Sequence, residues 1–138
     1  MPARDKIHDG VKQSLINDGW IVIADPLVLD EGSINFFVDL GAEKFIVAQR
    51  SSRKIAVEIK DFSRRSPISD FHQALGQYIN YRMILRQLDP ECDLYFGISD
   101  QLYGTFFQTR FAQNAILESQ LKLIVCDLTK QEIVKWID

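Results

Sequence analysis

Two apolar stretches in the first half of the chain alternate with a period of two. Ile55, Val57 and Ile59 share one parity and Ala56, Glu58 and Lys60 the other, so a strand here sends the two sets to opposite faces. A second such stretch begins at about Asn35 and carries Asp39 between Val38 and Leu40. If that strand continues through Gly41, Glu43 falls on the face of Asp39. Lys44 to Gln49 is apolar enough to extend it after a kink at Gly41, and Arg50-Ser51-Ser52-Arg53 makes a polar turn into the next strand. Ahead of these, Ile7, Val11 and Leu15 recur every fourth residue. They predict a helix from Pro2 to Asp18 capped by Gly19. Trp20 to Ala24 predicts a first strand, ended by Asp25-Pro26 because proline cannot donate to a ladder. Leu27 to Leu29 resumes it before the turn Asp30-Glu31-Gly32-Ser33.

The second half changes period. After a loop from Asp61 to Pro67, a helix is expected from Ser69 as N-cap to about Leu88, with Leu75, Ile79, Met83 and Leu85 in the core. Asp89-Pro90 breaks it. Leu94 to Ile98 reads as a short buried strand, and Gln101 to Ser119 as helix in two pieces, broken near Gly104 and packed onto the sheet by Phe106, Phe107 and Phe111. Leu121 to Leu128 and Glu132 to Ile137 form a hairpin around Thr129-Lys130-Gln131. This order predicts an α/β (α+β) fold, a mixed central sheet flanked by helices, as one domain over residues 1–138.

Composition narrows the function classes. The 138 residues carry a net charge of −3, so no global basic field advertises nucleic acid. A carboxylate-rich metal site would itself be acidic, so the charge does not exclude such a partner. Two cysteines, Cys92 and Cys126, are too few for a disulfide framework and read as free thiols. No apolar run reaches membrane length and no signal peptide opens the chain, so a cytoplasmic protein is expected.

The chemistry lies in the two alternating stretches. A carboxylate on one strand beside a Glu-x-Lys pair on the next is what a magnesium-dependent phosphodiesterase needs, with hard oxygen ligands for the metal and an ammonium beside the attacking water. An amphipathic strand with one solvated face also shows Glu and Lys two apart, and cross-strand acid–base pairs stabilise sheets modestly. On the helix that follows, Gln77 and Tyr81 are four apart and so share a face, with His72 and Gln73 one turn earlier.

Asp39, then Glu58-Ile59-Lys60 on the neighbouring strand, then Gln77-x-x-x-Tyr81 on a helix resembles the restriction-endonuclease-like fold of the PD-(D/E)XK nuclease superfamily. More closely, the chain is similar to the XisH family of element-excision controlling proteins. The segments that carry this are Met1 to Asp5, Asp18-Gly19-Trp20, Phe37 to Glu43, Ala56 to Lys60, Ala74 to Tyr78 and Leu121 to Val125. The resemblance spans nearly the full length. It implies a small protein acting on DNA beside a site-specific recombinase and a small XisI-type partner protein, with pairing of two copies left open.

Read through that resemblance, Asp39 and Glu58 would ligate one Mg²⁺ or Mn²⁺, with the Ile59 carbonyl as a third oxygen. Lys60 would orient the nucleophilic water and offset charge on the phosphate. Gln77 would bind the water or the phosphate, with Tyr81 bracing it, and Glu43 would be a further ligand or a support to one. Many relatives of this fold carry a Glu on the first helix, and the comparable place here holds His8, with Asp9 next to it. Arg50, Arg53, Arg64 and Arg65 are candidates for phosphate contacts, or are the solvated side chains of turns. The alternative function is a nuclease-fold subunit that does not cut and regulates or binds instead.

Overall fold

The computed structural model describes residues 3–46, 51–62 and 65–138. The alternating stretches form strands and the four-residue periodicities form helices. Helix α1 (Ala3–Asn17) leads into β1 (Ile21–Ala24), and β2 (Leu27–Asp30) and β3 (Asn35–Val38) follow. Next come β4 (Leu40–Ile46), β5 (Ser51–Ile59), α2 (Pro67–Leu88) and β6 (Cys92–Ser99). The chain ends with α3 (Asp100–Gly104), a 3-10 turn at Phe106–Gln108, α4 (Arg110–Ser119), β7 (Leu123–Asp127) and β8 (Glu132–Ile137).

Six strands make one mixed sheet in the order β1-β4-β5-β6-β7-β8. Strands β5, β6 and β7 are parallel, joined across α2 and across α3–α4, while β1, β4 and β8 run antiparallel to their neighbours. Both faces are covered. On one, α1 packs Val11 and Leu15 against Leu40, Ala42, Ile55, Val57 and Tyr95. On the other, Phe71, Ala74 and Tyr78 of α2 meet Ala56, Leu94 and Phe96. Strand β5 therefore has no broad solvated face, and both parities of its alternation are buried, as central strands require.

Two close fits hold the layers in place. A side-chain carbon on Gly97 would lie 2.9 Å from Val11 Cγ1 and from Val57 Cγ1, so only glycine lets α1 settle onto β6. The Tyr78 hydroxyl, fully buried, donates to the Leu94 carbonyl at 2.8 Å and accepts from the Lys122 main-chain N–H at 3.2 Å. It ties α2 to β6 and to the start of β7.

Four expectations are corrected. Residues 27–29 do not resume β1: β2 leaves the main sheet and pairs only with β3, Leu27 opposite Val38 and Val28 opposite Phe37. The kink lies at Asp39 rather than Gly41, because β3 turns away with β2 while β4 runs unbroken through Gly41 beside β5. Helix α2 starts at Pro67 after Ser66, not after Ser69, which suits proline's preset φ and missing N–H in the first turn. Its core face carries Phe71, Ala74, Tyr78, Ile84 and Leu85, whereas Ile79 and Met83 are 44% and 52% exposed. The helix is apolar on more than one side, so hydropathy alone did not select the buried stripe. The two-piece helix after β6 and the final hairpin lie where expected, with Phe107 fully buried and Phe106 packed beside it, whereas Phe111 is 50% exposed. Cys92 and Cys126 are free, and burial pushes both thiols up to about 11. No helix among the described residues is long and apolar enough to cross a membrane.

Candidate active site

The break at Asp39 builds the site. The register Leu40 opposite Val57 places Asp39 across from Glu58 at the carboxyl end of β5. Because β3 has departed with the hairpin, the outer side of β5 is left without a strand there. Asp39 occupies the gap: its carboxylate accepts the Ile59 main-chain N–H at 2.8 Å, and its own main-chain N–H donates to Glu58 Oε1 at 3.2 Å. The two acids thus clamp each other through the main chain on one side of the sheet. The Lys60 N–H bonds the Gly97 carbonyl at 3.0 Å, so residue 60 faces β6. Alternation turns the main-chain groups of Ile59, its carbonyl included, to the Asp39 side.

Lys60 and Gln77 complete the group. The Lys60 ammonium lies 3.3 Å from Glu58 Oε2 and donates to the amide oxygen of Gln77. A cleft of about 590 Å³ opens over these residues, floored by Asp39, Glu58, Ile59 and Lys60 and walled by α2. Glu58 is 6% exposed. Burial first, then the negative charge of Asp39, pushes its carboxyl up from 4.5 to about 7, with Lys60 acting in the opposite direction. The Tyr81 phenol, one helical turn beyond Gln77, is held protonated by burial and by the charges of Glu58 and Asp39. Its ring packs edge-on against Phe36 of β3, with centroids 6.2 Å apart.

The other candidates are placed elsewhere. Glu43 stands four residues along β4 from Asp39, opposite Lys54. His8 turns from the cleft to Asp25, its Nε2 2.9 Å from Oδ1, beside Lys12 at 2.8 Å from Oδ2. Among the described side chains of α1, the one at the cleft is its neighbour Ile7. Arg53 donates to the Tyr95 hydroxyl, stands 3.7 Å from Asp93 Oδ2 and stacks on the Tyr95 and Trp136 rings. Arg65 is exposed in the bend before α2. Arg50 and Arg64 lie outside the described residues.

Two cleft residues, Asp61 and Asp70, were not singled out from the sequence, and Gln73 was noted there only as lying one turn before Gln77. Helical spacing carried the signal: Asp70, Gln73 and Gln77 fall at i, i+3 and i+7 on one face. Among the described residues, no group of three or more His, Cys, Asp and Glu side chains converges as a metal cage. The donors that do converge are two carboxylates, with a main-chain carbonyl turned to the same side. All are hard oxygens, and the Asp39 N–H to Glu58 Oε1 bond at 3.2 Å holds the two acids together. This set fits a divalent cation that keeps several waters, such as Mg²⁺ or Mn²⁺.

Known proteins match nearly the whole chain in sequence and in fold. The XisH protein family matches residues 1–134. A crystal structure of an XisH family protein from Nostoc punctiforme PCC 73102 is 41% identical, with a TM-score of 0.87, covering 97% of this chain and 100% of that one. A crystal structure of an fdxN element excision controlling factor protein from Anabaena variabilis is 42% identical, with a TM-score of 0.88, covering 98% of this chain and 100% of that one. No curated protein matches. From its first residues to the final hairpin, in sequence and in fold alike, this chain belongs to the XisH family.

Proposed function

We propose that this protein is a metal-dependent DNA phosphodiesterase with a PD-(D/E)XK-type site, acting in or beside the excision of a DNA element. The observation that carries the reading is the meeting of Asp39, Glu58, Lys60 and Gln77 on one side of the sheet under an open cleft. Asp39, Glu58 and the Ile59 carbonyl would hold Mg²⁺ or Mn²⁺, which when bound supplies Lewis-acid polarisation of a phosphoryl oxygen. Lys60 donates to the attacking water and places a positive charge beside the phosphate. Gln77 holds the ammonium in position from α2, and Tyr81, a neutral donor, braces that wall. Glu58 is buried away from bulk water, which strengthens its interactions with the cation and with Lys60.

A second reading has its own observation. Lys60 is engaged by both Glu58 and Gln77, the arrangement of a chain that retains the site as structure. In that case the protein is a silent regulatory subunit, working with an XisI-type partner and a site-specific recombinase. Nicking of supercoiled plasmid in Mn²⁺ separates the two. The enzyme reading expects nicking by wild type and none by Lys60→Ala with unchanged folding. Equal rates for both proteins would remove Lys60 from the chemistry, and no nicking by wild type favours the silent subunit.

A further inference from the structure

The β2–β3 hairpin stands apart from the six-stranded sheet, and its two faces differ. Leu29 and Val38 turn inward and are buried, with Leu27 and Phe36 packed against the core beside them. On the outer face Val28 and Phe37 sit directly opposite each other, 49% and 56% exposed, with Asn35 exposed two residues from Phe37 on the same face. Phe36 has a ring partner in Tyr81, while Phe37 has none among the described ring contacts. Strand β3 then runs straight into Asp39. Only Val38 lies between Phe37 and Asp39, so their Cα atoms are at most about 7 Å apart.

We infer that the outer face of this hairpin is a stacking platform for an unpaired nucleotide base, so that the substrate is single-stranded or locally unpaired DNA rather than continuous duplex. The inference rests on the phosphodiesterase reading and names its substrate. Three considerations support it. The protein is acidic and its cleft sets Asp61 and Asp70 beside Asp39 and Glu58 against the one ammonium of Lys60, so away from the reacting phosphate the attraction to a DNA backbone is weak and uncharged contacts carry more of the affinity. Aromatic–base stacking is such a contact and is indifferent to sequence. The ring lies on the far side of the ribbon from α2, so a strand that passes from the cleft at Asp39 to Phe37 has to fold over the hairpin. A duplex, stiff over about 150 base pairs, resists that bend, whereas a single strand does not. Finally, half of one phenylalanine and half of one valine fall well short of the roughly 800 Å² per partner that a stable protein interface buries, but match the face of one base.

The test uses the full chain in EDTA, where no nicking occurs, and a short single-stranded oligonucleotide carrying 2-aminopurine, alongside its duplex. Expected are tighter binding of the single strand than of the duplex and quenching of the 2-aminopurine. Phe37→Ala should weaken the single strand about tenfold and abolish quenching. Phe37→Tyr should retain both, and Phe37→Leu, which keeps the apolar surface without the π-face, should lose both. No single-strand binding, a preference for duplex, or a Phe37→Leu protein that binds as wild type overturns the inference. So does a wild-type dimer in sedimentation that Phe37→Ala dissociates, since the face would then serve a second copy. The two readings fail separately: stacking is read without divalent ion, and nicking only with it.

Discussion

The Lys60 ammonium donates to the Gln77 amide oxygen, joining the carboxyl end of β5 to the middle of α2. The same ammonium lies 3.3 Å from Glu58 Oε2. One cation is thereby held between a carboxylate of the sheet and a neutral amide of the helix. An amide at Gln77 fixes the direction of the lysine without cancelling its charge, which a carboxylate there would do.

Gln77→Ala should accordingly leave the fold intact and loosen Lys60, which then leans wholly on Glu58. Mn²⁺-dependent nicking is expected to fall about 10–100-fold, the usual cost of losing a group that orients a working residue. Nicking rates and melting curves measured on the same preparations check it. A variant as fast as wild type would show that the helix does not position the lysine.

Divalent binding should be visible as stability. On the proposed metal site, millimolar Mg²⁺ or Mn²⁺ would bind the folded chain only, so the melting temperature of wild type should rise with ion concentration. Asp39→Ala removes one carboxylate together with the acceptor of the Ile59 N–H, and its melting temperature should not respond. Calorimetry showing equal ion binding by both proteins would move the metal elsewhere.

The pH dependence of stability follows from Glu58. Its folded-state carboxyl lies near 7 against an ordinary 4.5, raised by burial and by Asp39. Between those values the folded chain keeps a proton that the unfolded chain has released. The stabilisation is thus fully present below about 4.5 and is lost as pH rises through about 7. Glu58→Gln does not titrate, so its melting temperature should gain on wild type across that window and level off above it. A constant difference from pH 4.5 to 8 would refute the assignment.

Tyr78→Phe probes the packing of α2 without touching the cleft. It deletes a buried hydroxyl that bonds the Leu94 carbonyl and the Lys122 N–H. The expected loss is about 1–3 kcal/mol, read as a lower denaturant midpoint with an unchanged slope.

Much of this site was legible along the chain. A period of two exposes its own register, so Asp39 and the Glu58-Ile59-Lys60 run were visible as acids set among apolar neighbours. The i, i+4 rule put Gln77 and Tyr81 on one helical face. Asp70 obeys the same rule and was passed over, and Gln73 was noted only as a neighbour of Gln77, because a polar residue on a helix usually faces solvent and nothing local distinguishes a cleft wall from a surface. His8 was placed near the site by its position in α1, yet one step of helical rotation sends Ile7 to the cleft and His8 to Asp25.

Local patterning settled which segments extend and which coil, since side-chain periodicity is a property of the backbone within a few residues. It also showed which polar groups interrupt apolar runs. Only the assembled sheet decided that β3 parts from β4 at Asp39, that the gap so formed turns the Asp39 carboxylate onto the Ile59 amide, and that burial beside a like charge lifts Glu58. Those outcomes depend on strand neighbours 19 and 20 residues apart in sequence and on the dielectric around them, and neither is written in any short window of the chain.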